Sequence, residues 1–311
     1  MTNLNFFSMK FTAEDPRWLF FLCASSVILA VMVIFGFILF TALPVIQQSG
    51  LNLILGTTWD YDTHQFGMLT LITGSVFLAG LTLILATPVG ILTAIYLAEY
   101  AHPALEKTLR ALIELLVGIP SVVYGIFGFI LLEPIFHTVI KPAIGSLLGF
   151  IPIFYNLSPN TGSGYLLAAT VLAIMILPTI ISLSHESLRV VPSGYREASL
   201  ALGATRWETI RYVMIPAGAS GIISSIVLGV MRAMGETMAV VMLVGGTMHI
   251  PGSVLDSGFT LTAKILSDSS YYLIFPESRS AIFAMAIVLF VIEIFFVALI
   301  RLASKRISER T

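Results

Sequence analysis

Charged residues are scarce in this sequence. Asp, Glu, Lys and Arg make up 11% of its 311 residues, whereas 57% are hydrophobic and the mean hydropathy is +0.97. Because a soluble domain of this length carries about 25% charged residues, the composition excludes an ordinary soluble protein. The chain also has a single cysteine, Cys23, which excludes a disulfide framework within it.

Signatures of several enzyme classes are missing as well. The sequence contains no G-x-x-x-x-G-K-[ST] loop to cradle a nucleotide, and no H-E-x-x-H, C-x-x-C or G-x-S-x-G. No two histidines stand at the spacing of metal ligands; the five are His64, His102, His137, His185 and His249. We therefore predict no catalytic residue, no metal site and no cofactor in this chain, so that any ATP hydrolysis would occur on another subunit.

Long apolar runs are abundant instead. Since about 20 apolar residues cross a bilayer core, the sequence predicts six membrane-spanning helices, near 18–43, 67–98, 109–132, 163–188, 217–247 and 279–303. The first run is longer than the roughly 7–15 apolar residues of a signal peptide, which favours a retained span. The expected fold is an all-α integral membrane protein, with residues 1–311 as one transmembrane domain.

Basic residues are distributed unevenly between the predicted loops. Twelve lie in the two termini and in the second and fourth loops: Lys10, Arg17, Lys107, Arg110, Arg189, Arg196, Arg206, Arg211, Arg301, Lys305, Arg306 and Arg310. The opposite loops hold only Lys141, Lys264 and Arg279. By the positive-inside rule, the chain should be a multi-pass protein of the plasma (inner) membrane, with both termini facing the cytoplasm.

The fourth loop, 189–216, contains the most specific pattern. It reads Glu197-Ala198-Ser199, three residues, Gly203, nine residues, and then Val213-Met214-Ile215-Pro216. Good helix formers precede Gly203, Ser193 is a candidate N-cap, and Gly203 can take positive φ to end the helix. These features predict a short helix–turn–helix exposed to the cytosol.

This loop resembles the E-A-A-x3-G-x9-I-x-L-P signature of ABC importer permeases, from which it departs at Ser199 and Val213. The resemblance implies the transmembrane domain of an ABC type I importer (MetI-like). It also implies that the loop is a coupling helix docked in a groove of an ATPase subunit, with Glu197, Ala198 and Gly203 at the interface.

The fifth predicted span contains Arg232 and Glu236, which are costly inside a bilayer. At i and i+4 on a continuous helix they would share one face, together with small residues such as Ser225 and Gly229. Such a stripe should face protein or water rather than lipid. The residues alone leave two interpretations open: Arg232 and Glu236 pair with each other to stabilise the bundle, or they line the route of an anion. Glu293, in the sixth span, receives no role.

A second resemblance concerns the cargo. The stretch 232–240 is similar to the R-A-x-G-E-T-x-A-V segment of phosphate-specific ABC permeases, as are Ile119–Gly125, Phe66-Gly67 and the outer Thr57–Asp60, the last favouring the PstC-type subunit over the PstA-type. In that family the counterparts of Arg232 and Glu236 matter for phosphate passage. The resemblance therefore implies a permease subunit importing inorganic phosphate.

The resemblance also implies partners. These are a homologous PstA-type permease, two ATP-binding subunits carrying ATP and Mg²⁺, and an extracytoplasmic phosphate-binding protein. The outer segments 44–66, 133–162 and 249–278 are the candidate docking surface for the last of these. Alternative functions remain open: a permease for sulfate, molybdate or phosphonate, an ATP-independent secondary anion transporter, or a membrane scaffold or sensor.

Overall fold

The computed structural model of the chain describes residues 17–155 and 160–308, with side chains up to Leu302. The predicted cytoplasmic charges of Lys10, Lys305, Arg306 and Arg310 lie outside the side chains described. Within the described part, six helical runs are long and apolar enough to cross a membrane. We number them as follows: span 1 is Arg17–Ser49, span 2 Leu69–Tyr100, span 3 Ser121–Leu148, span 4 Tyr165–Arg189, span 5 Arg206–Gly235 and span 6 Pro276–Leu302.

Shorter elements connect and interrupt the spans. The helix of span 6 continues to Ser308. Short helices outside the spans are Asn52–Leu55, Pro103–Val117, Ser193–Ala201, Met238–Leu243 and Leu261–Tyr272, with a 3-10 turn at Pro152–Phe154. Within spans 2, 3 and 5, π-helical turns lie at Tyr96–Tyr100, Gly128–Leu132, Phe136–Ile140 and Ile210–Met214. The antiparallel strands Trp59–Asp60 and Gln65–Phe66 form a hairpin at the end of the bundle predicted to face outward, which we call the outer hairpin.

Span 4 occupies the centre of the described bundle. It packs along spans 2 and 5, and most of its side chains are buried, including Leu172, Ile176 and Ile180. Spans 1 and 6 pack on each other at the periphery, where their outer apolar side chains are exposed. A centre of this kind needs an almost continuously apolar sequence, and residues 165–184 provide one.

The third span differs from the sequence prediction of 109–132. Residues Pro103–Val117 form a separate helix with no buried residue, and span 3 begins only at Ser121. The helix is interrupted between Gly118 and Pro120, because proline has no backbone N–H to donate to a helical hydrogen bond. The charges of the first part, among them Glu106 and Arg110, keep that helix at the surface. We call Pro103–Val117 the elbow helix.

The fifth span also differs from its predicted range of 217–247. It begins earlier, at Arg206, and its helix ends at Gly235; Met238–Leu243 is a separate short helix. The second helix predicted for the cytoplasmic loop is therefore the continuous start of span 5. The prediction failed at both ends because hydropathy does not register a polar start or a break between two apolar stretches.

The outer hairpin is held to the outer helix Leu261–Tyr272 by Tyr61. The Tyr61 hydroxyl donates to Asp268 Oδ2 over 2.5 Å, and its ring stacks on Tyr272 with centroids 3.8 Å apart. Lys264 Nζ lies 3.1 Å from the other carboxylate oxygen of Asp268. Burial, and then the hydrogen bond to the Asp268 carboxylate, raise the pKa of Tyr61 well above its ordinary value of about 10.

This raised pKa predicts alkaline destabilisation. The folded chain holds the Tyr61 proton to higher pH than the unfolded chain, so the stabilisation is complete below about pH 10 and is lost as the pH rises further. Tyr61→Phe should lower the unfolding free energy by about 1–3 kcal/mol at pH 7, because a hydrogen bond to a charged group is lost, and should weaken the fall in stability above pH 10.

Thermal unfolding of the detergent-purified chain between pH 7 and 11 measures both effects. Tyr155→Phe is the matched control, since Tyr155 is exposed. Equal stability of Tyr61→Phe and wild type at pH 7 would show that the Tyr61–Asp268 bond contributes nothing.

Candidate translocation and coupling sites

Arg232 lies in the last turn of the span 5 helix and is half-buried. Its Nη1 donates to Thr179 Oγ1 of span 4 over a long 3.4 Å. Thr179 follows Pro178, which lies inside the span 4 helix. A cation at a helix C-terminus is stabilised by the helix dipole. The position thus favours a charged guanidinium without requiring a carboxylate beside it.

Glu236 does not share a helix face with Arg232, so the predicted i and i+4 arrangement is wrong. The helix ends at Gly235, and the backbone of Glu236 is extended (φ −70°, ψ 131°). The Glu236 carboxylate Oε1 instead accepts from the backbone N–H of Ala239, 3.1 Å away, in the first turn of Met238–Leu243, whose N-cap position is Thr237. The Glu236 carbonyl accepts from Thr262 Oγ1 at 2.9 Å.

The two predicted site residues are therefore close in sequence but do not form an ion pair: among the described residues, no Arg232–Glu236 salt bridge is present. The interpretation that they neutralise each other is wrong for this conformation. The i and i+4 rule fails because it holds only within a continuous helix. We call residues 235–237 the span 5 break.

Glu293 of span 6 lies beside this break, which the sequence did not reveal. A side-chain carbon added at Gly235 would be 3.9 Å from Glu293 Oε1. Within the described residues, Glu293 makes no hydrogen bond or ion pair, and it is half-buried. One cation and two carboxylates thus surround the end of a membrane helix. The sequence did show that Glu293 lies in a membrane span, which marks it as unusual. Its neighbours could not be predicted, because they are set by the packing of span 6 against span 5.

The loop between spans 4 and 5 contains the predicted short helix at Ser193–Ala201, which we call the coupling helix. Its described residues include no buried one, and Glu197 and Ala198 are exposed. Gly203 ends the element with φ +87°, as predicted. The exposed position of Glu197, Ala198 and Gly203 leaves them accessible to a partner.

The caps of this loop differ from the prediction. Ser193 is the first residue of the coupling helix rather than its N-cap; Pro192 occupies the cap position and makes no side-chain cap. The cap of the next helix was not predicted. There the Thr205 hydroxyl accepts from the Glu208 N–H, while the Glu208 carboxylate accepts from the Thr205 N–H at 2.7 Å. The T-x-x-E spacing could have revealed this capping box.

Comparison with known proteins identifies the family of the chain. Residues 86–309 match the family described as binding-protein-dependent transport system inner membrane component. The chain is 35% identical over 273 residues to the phosphate transport system permease protein PstC of Mesorhizobium japonicum, covering 86% of this chain and 82% of that protein. It is 39% identical over 242 residues to the probable ABC transporter permease protein YqgH of Bacillus subtilis, covering 78% and 73%.

The chain belongs to the PstC family of transport permeases. The family predicted from the motifs is thereby confirmed, and the chain is a multi-pass membrane component of a transport system that depends on a binding protein. The chain is also 31% identical over 265 residues to the probable phosphate transport system permease protein PstC of Methanocaldococcus jannaschii, covering 84% of each chain.

Solved structures confirm the fold of this PstC-family permease. A chain of a bacterial alginate ABC transporter, solved in complex with its alginate-bound periplasmic protein, superposes with a TM-score of 0.64 at 14% identity, covering 94% of this chain and 96% of that one. A second alginate importer structure gives 0.54 at 17% identity, covering 94% and 99%. At identities this low, the two superpositions show a shared fold and nothing about cargo.

The positive φ of Gly203 makes a testable prediction about the coupling loop. No atom lies within 4 Å of a side-chain carbon added there, so Gly203→Ala should destabilise the chain through backbone conformation alone, by about 1–2 kcal/mol. Gly194 is the matched control, because it has equally open surroundings but lies within the coupling helix. Gly194→Ala should raise stability by up to about 1 kcal/mol.

Thermal unfolding of the two purified variants and the wild type measures these changes in stability. If Gly203→Ala were as stable as Gly194→Ala, the left-handed turn would not constrain the loop.

Proposed function

We propose that this chain is the PstC-type permease subunit of an ATP-driven importer that moves inorganic phosphate across the plasma (inner) membrane. Several curated relatives carry the name phosphate transport system permease protein PstC. The observation that carries the proposal is Arg232, a half-buried guanidinium in a membrane span that has no carboxylate partner among the described residues.

An arginine in this setting suits an oxyanion. The guanidinium presents a planar fork of donors that matches phosphate oxygens, and one of its donors makes only the 3.4 Å contact with Thr179. Phosphate can therefore approach without first displacing a carboxylate. Glu236 belongs to the proposed pathway as the residue that holds the span 5 break open beside Arg232.

Import of an anion also requires an energy source. Moving one negative charge into a cell with a negative interior costs about 2.3 kcal/mol per 100 mV, and accumulation adds to this. The coupling helix supports ATP as the source, with Glu197, Ala198 and Gly203 placed on an exposed surface. The chain itself is a transport subunit; ATP and Mg²⁺ would bind to two partner ATPase subunits.

The remaining partners follow from the same arrangement. A PstA-type permease would complete the membrane domain, and the exposed apolar faces of the spans offer surface for it and for lipid. An extracytoplasmic phosphate-binding protein would dock on the end that carries the outer hairpin and the outer helix. The charges of Arg189, Arg196 and Arg211, at the coupling-helix end, support a cytoplasmic location for that end and for both termini.

Phosphate uptake tests the role of Arg232. In vesicles containing the assembled complex and ATP, Arg232→Gln should lower the uptake rate by about 10- to 100-fold, because a hydrogen bond to a charged group contributes about 1.5–3 kcal/mol. Arg232→Lys should retain part of the activity, since it keeps the charge but loses the fork. Arg301→Gln, at an exposed arginine in span 6, is the matched control and should transport normally.

The assembly of every variant is checked before uptake is compared. Wild-type uptake by an assembled Arg232→Gln complex would show that Arg232 is structural. Competition by sulfate, molybdate or phosphonate separates the cargoes: if the wild type prefers one of these to phosphate, the importer class stands and the phosphate proposal fails. Uptake that persists without ATP would indicate a secondary transporter.

A further inference from the structure

We infer that Glu99 and Arg196 form a joint through which movement of the coupling helix is transmitted to span 2. This inference deepens the proposed function and rests on it, because it requires an ATPase-driven coupling helix. Both are positioning residues: neither touches cargo.

The joint is an ion pair at the cytoplasmic end of the bundle. Glu99 lies in the terminal π-helical turn of span 2, and its carboxylate is in contact with Arg196 Nη2. The Glu99 side chain is only 3% exposed. Arg196 belongs to the coupling helix and immediately precedes Glu197.

This pair differs from the other ion pairs at the same end. The other arginine pairs described there join the elbow helix to span 4 or act within the elbow helix. They are Arg110–Glu186, Arg189–Glu106 and Arg110–Glu114, and each has an arginine or carboxylate that is more than half exposed. The buried His185 also contacts Glu106, but this pair again joins span 4 to the elbow helix. Among the described pairs, Glu99–Arg196 is the one that reaches the coupling helix. A carboxylate buried to this degree depends on its partner, because without it the charge would be uncompensated.

A second contact reinforces the first. The Arg206 guanidinium lies 4.6 Å from the ring centre of Tyr100, the residue after Glu99. The Ser199 hydroxyl of the coupling helix lies 2.9 Å from that of Thr209. The end of span 2 is therefore held by the coupling helix at Glu99 and by the start of span 5 at Tyr100, while the coupling helix buries none of its own residues.

Span 2 connects this joint to the proposed pathway. It packs along span 4, and Gly90 lies so close to Ile180 that an added side-chain carbon would be 2.7 Å from Ile180 Cγ2. Ile180 follows Thr179, which accepts the hydrogen bond from Arg232. Tight packing of this kind transmits displacement rather than absorbing it. A pull on Arg196 is thereby carried to the contact of Arg232.

The ratio of phosphate imported to ATP hydrolysed tests the joint. In the assembled complex, Glu99→Gln and Arg196→Gln should each lower this ratio by about tenfold, the loss expected for one charged hydrogen bond, while ATP hydrolysis continues. The double variant should be no worse than either single variant, because both remove the same interaction. Reversing the pair, with Glu99→Arg and Arg196→Glu together, should restore part of the ratio.

Glu114→Gln is the matched control, since it removes an exposed carboxylate paired with Arg110, and it should leave the ratio unchanged. A wild-type ratio in Glu99→Gln, or additive losses in the double variant, would overturn the inference. If Glu99→Gln fails to assemble, Arg196→Gln removes the same ion pair at its more exposed side chain, which is 39% exposed; a normal ratio in that variant would also overturn the inference.

The outcomes separate the joint from the proposed function. If the wild type imports no phosphate, the proposed cargo is wrong, but stimulation of ATP hydrolysis by the binding protein is measured without following any cargo and still compares Glu99→Gln with wild type. Equal stimulation in the two would overturn the joint; weaker stimulation in Glu99→Gln supports it.

Discussion

The structure depends on how the backbone groups freed by one interrupted helix find hydrogen-bond partners inside an apolar environment. A bilayer core offers no water to backbone N–H and carbonyl groups, so a break there must be satisfied by protein. At the span 5 break, the Glu236 carboxylate accepts from the N–H of Ala239, and the Glu236 carbonyl accepts from the Thr262 hydroxyl. The outer helix Leu261–Tyr272 must therefore lie against the break, and its position is set by this bond.

The outer helix is tied to other elements in turn. The N–H of Leu261 donates to Ser75 Oγ of span 2 over 2.8 Å, and Asp268 accepts from Tyr61 of the outer hairpin. The surface on which a binding protein would dock is thus mechanically continuous with the break and with span 2. At the opposite end, span 2 meets the coupling helix at Glu99. The outer helix at one end and the coupling helix at the other are therefore each connected to the region around Arg232 by packed or hydrogen-bonded contacts.

Sequence patterns predicted the parts of this arrangement that depend on local chemistry. Apolar runs revealed six spans, and the spacing around Glu197 and Gly203 revealed the coupling helix with its left-handed end. They failed where two segments meet. The break at Gly235 lies between two apolar stretches, so hydropathy extended the span through it. The burial of Glu99 depends on Arg196, 97 residues away, and the place of Glu293 beside Gly235 depends on the packing of two distant spans.

The break also decides the electrostatics of Arg232. In a continuous helix, Glu236 would stand one turn above Arg232 and could neutralise it, and a bound anion would then have to displace a carboxylate in a medium of low dielectric constant. Because the helix ends at Gly235, the Glu236 carboxylate is occupied by the N–H of Ala239 instead. The negative charge that the sequence places next to Arg232 is thus used by the backbone. The same residue that makes the break structurally possible leaves the guanidinium available to an oxyanion.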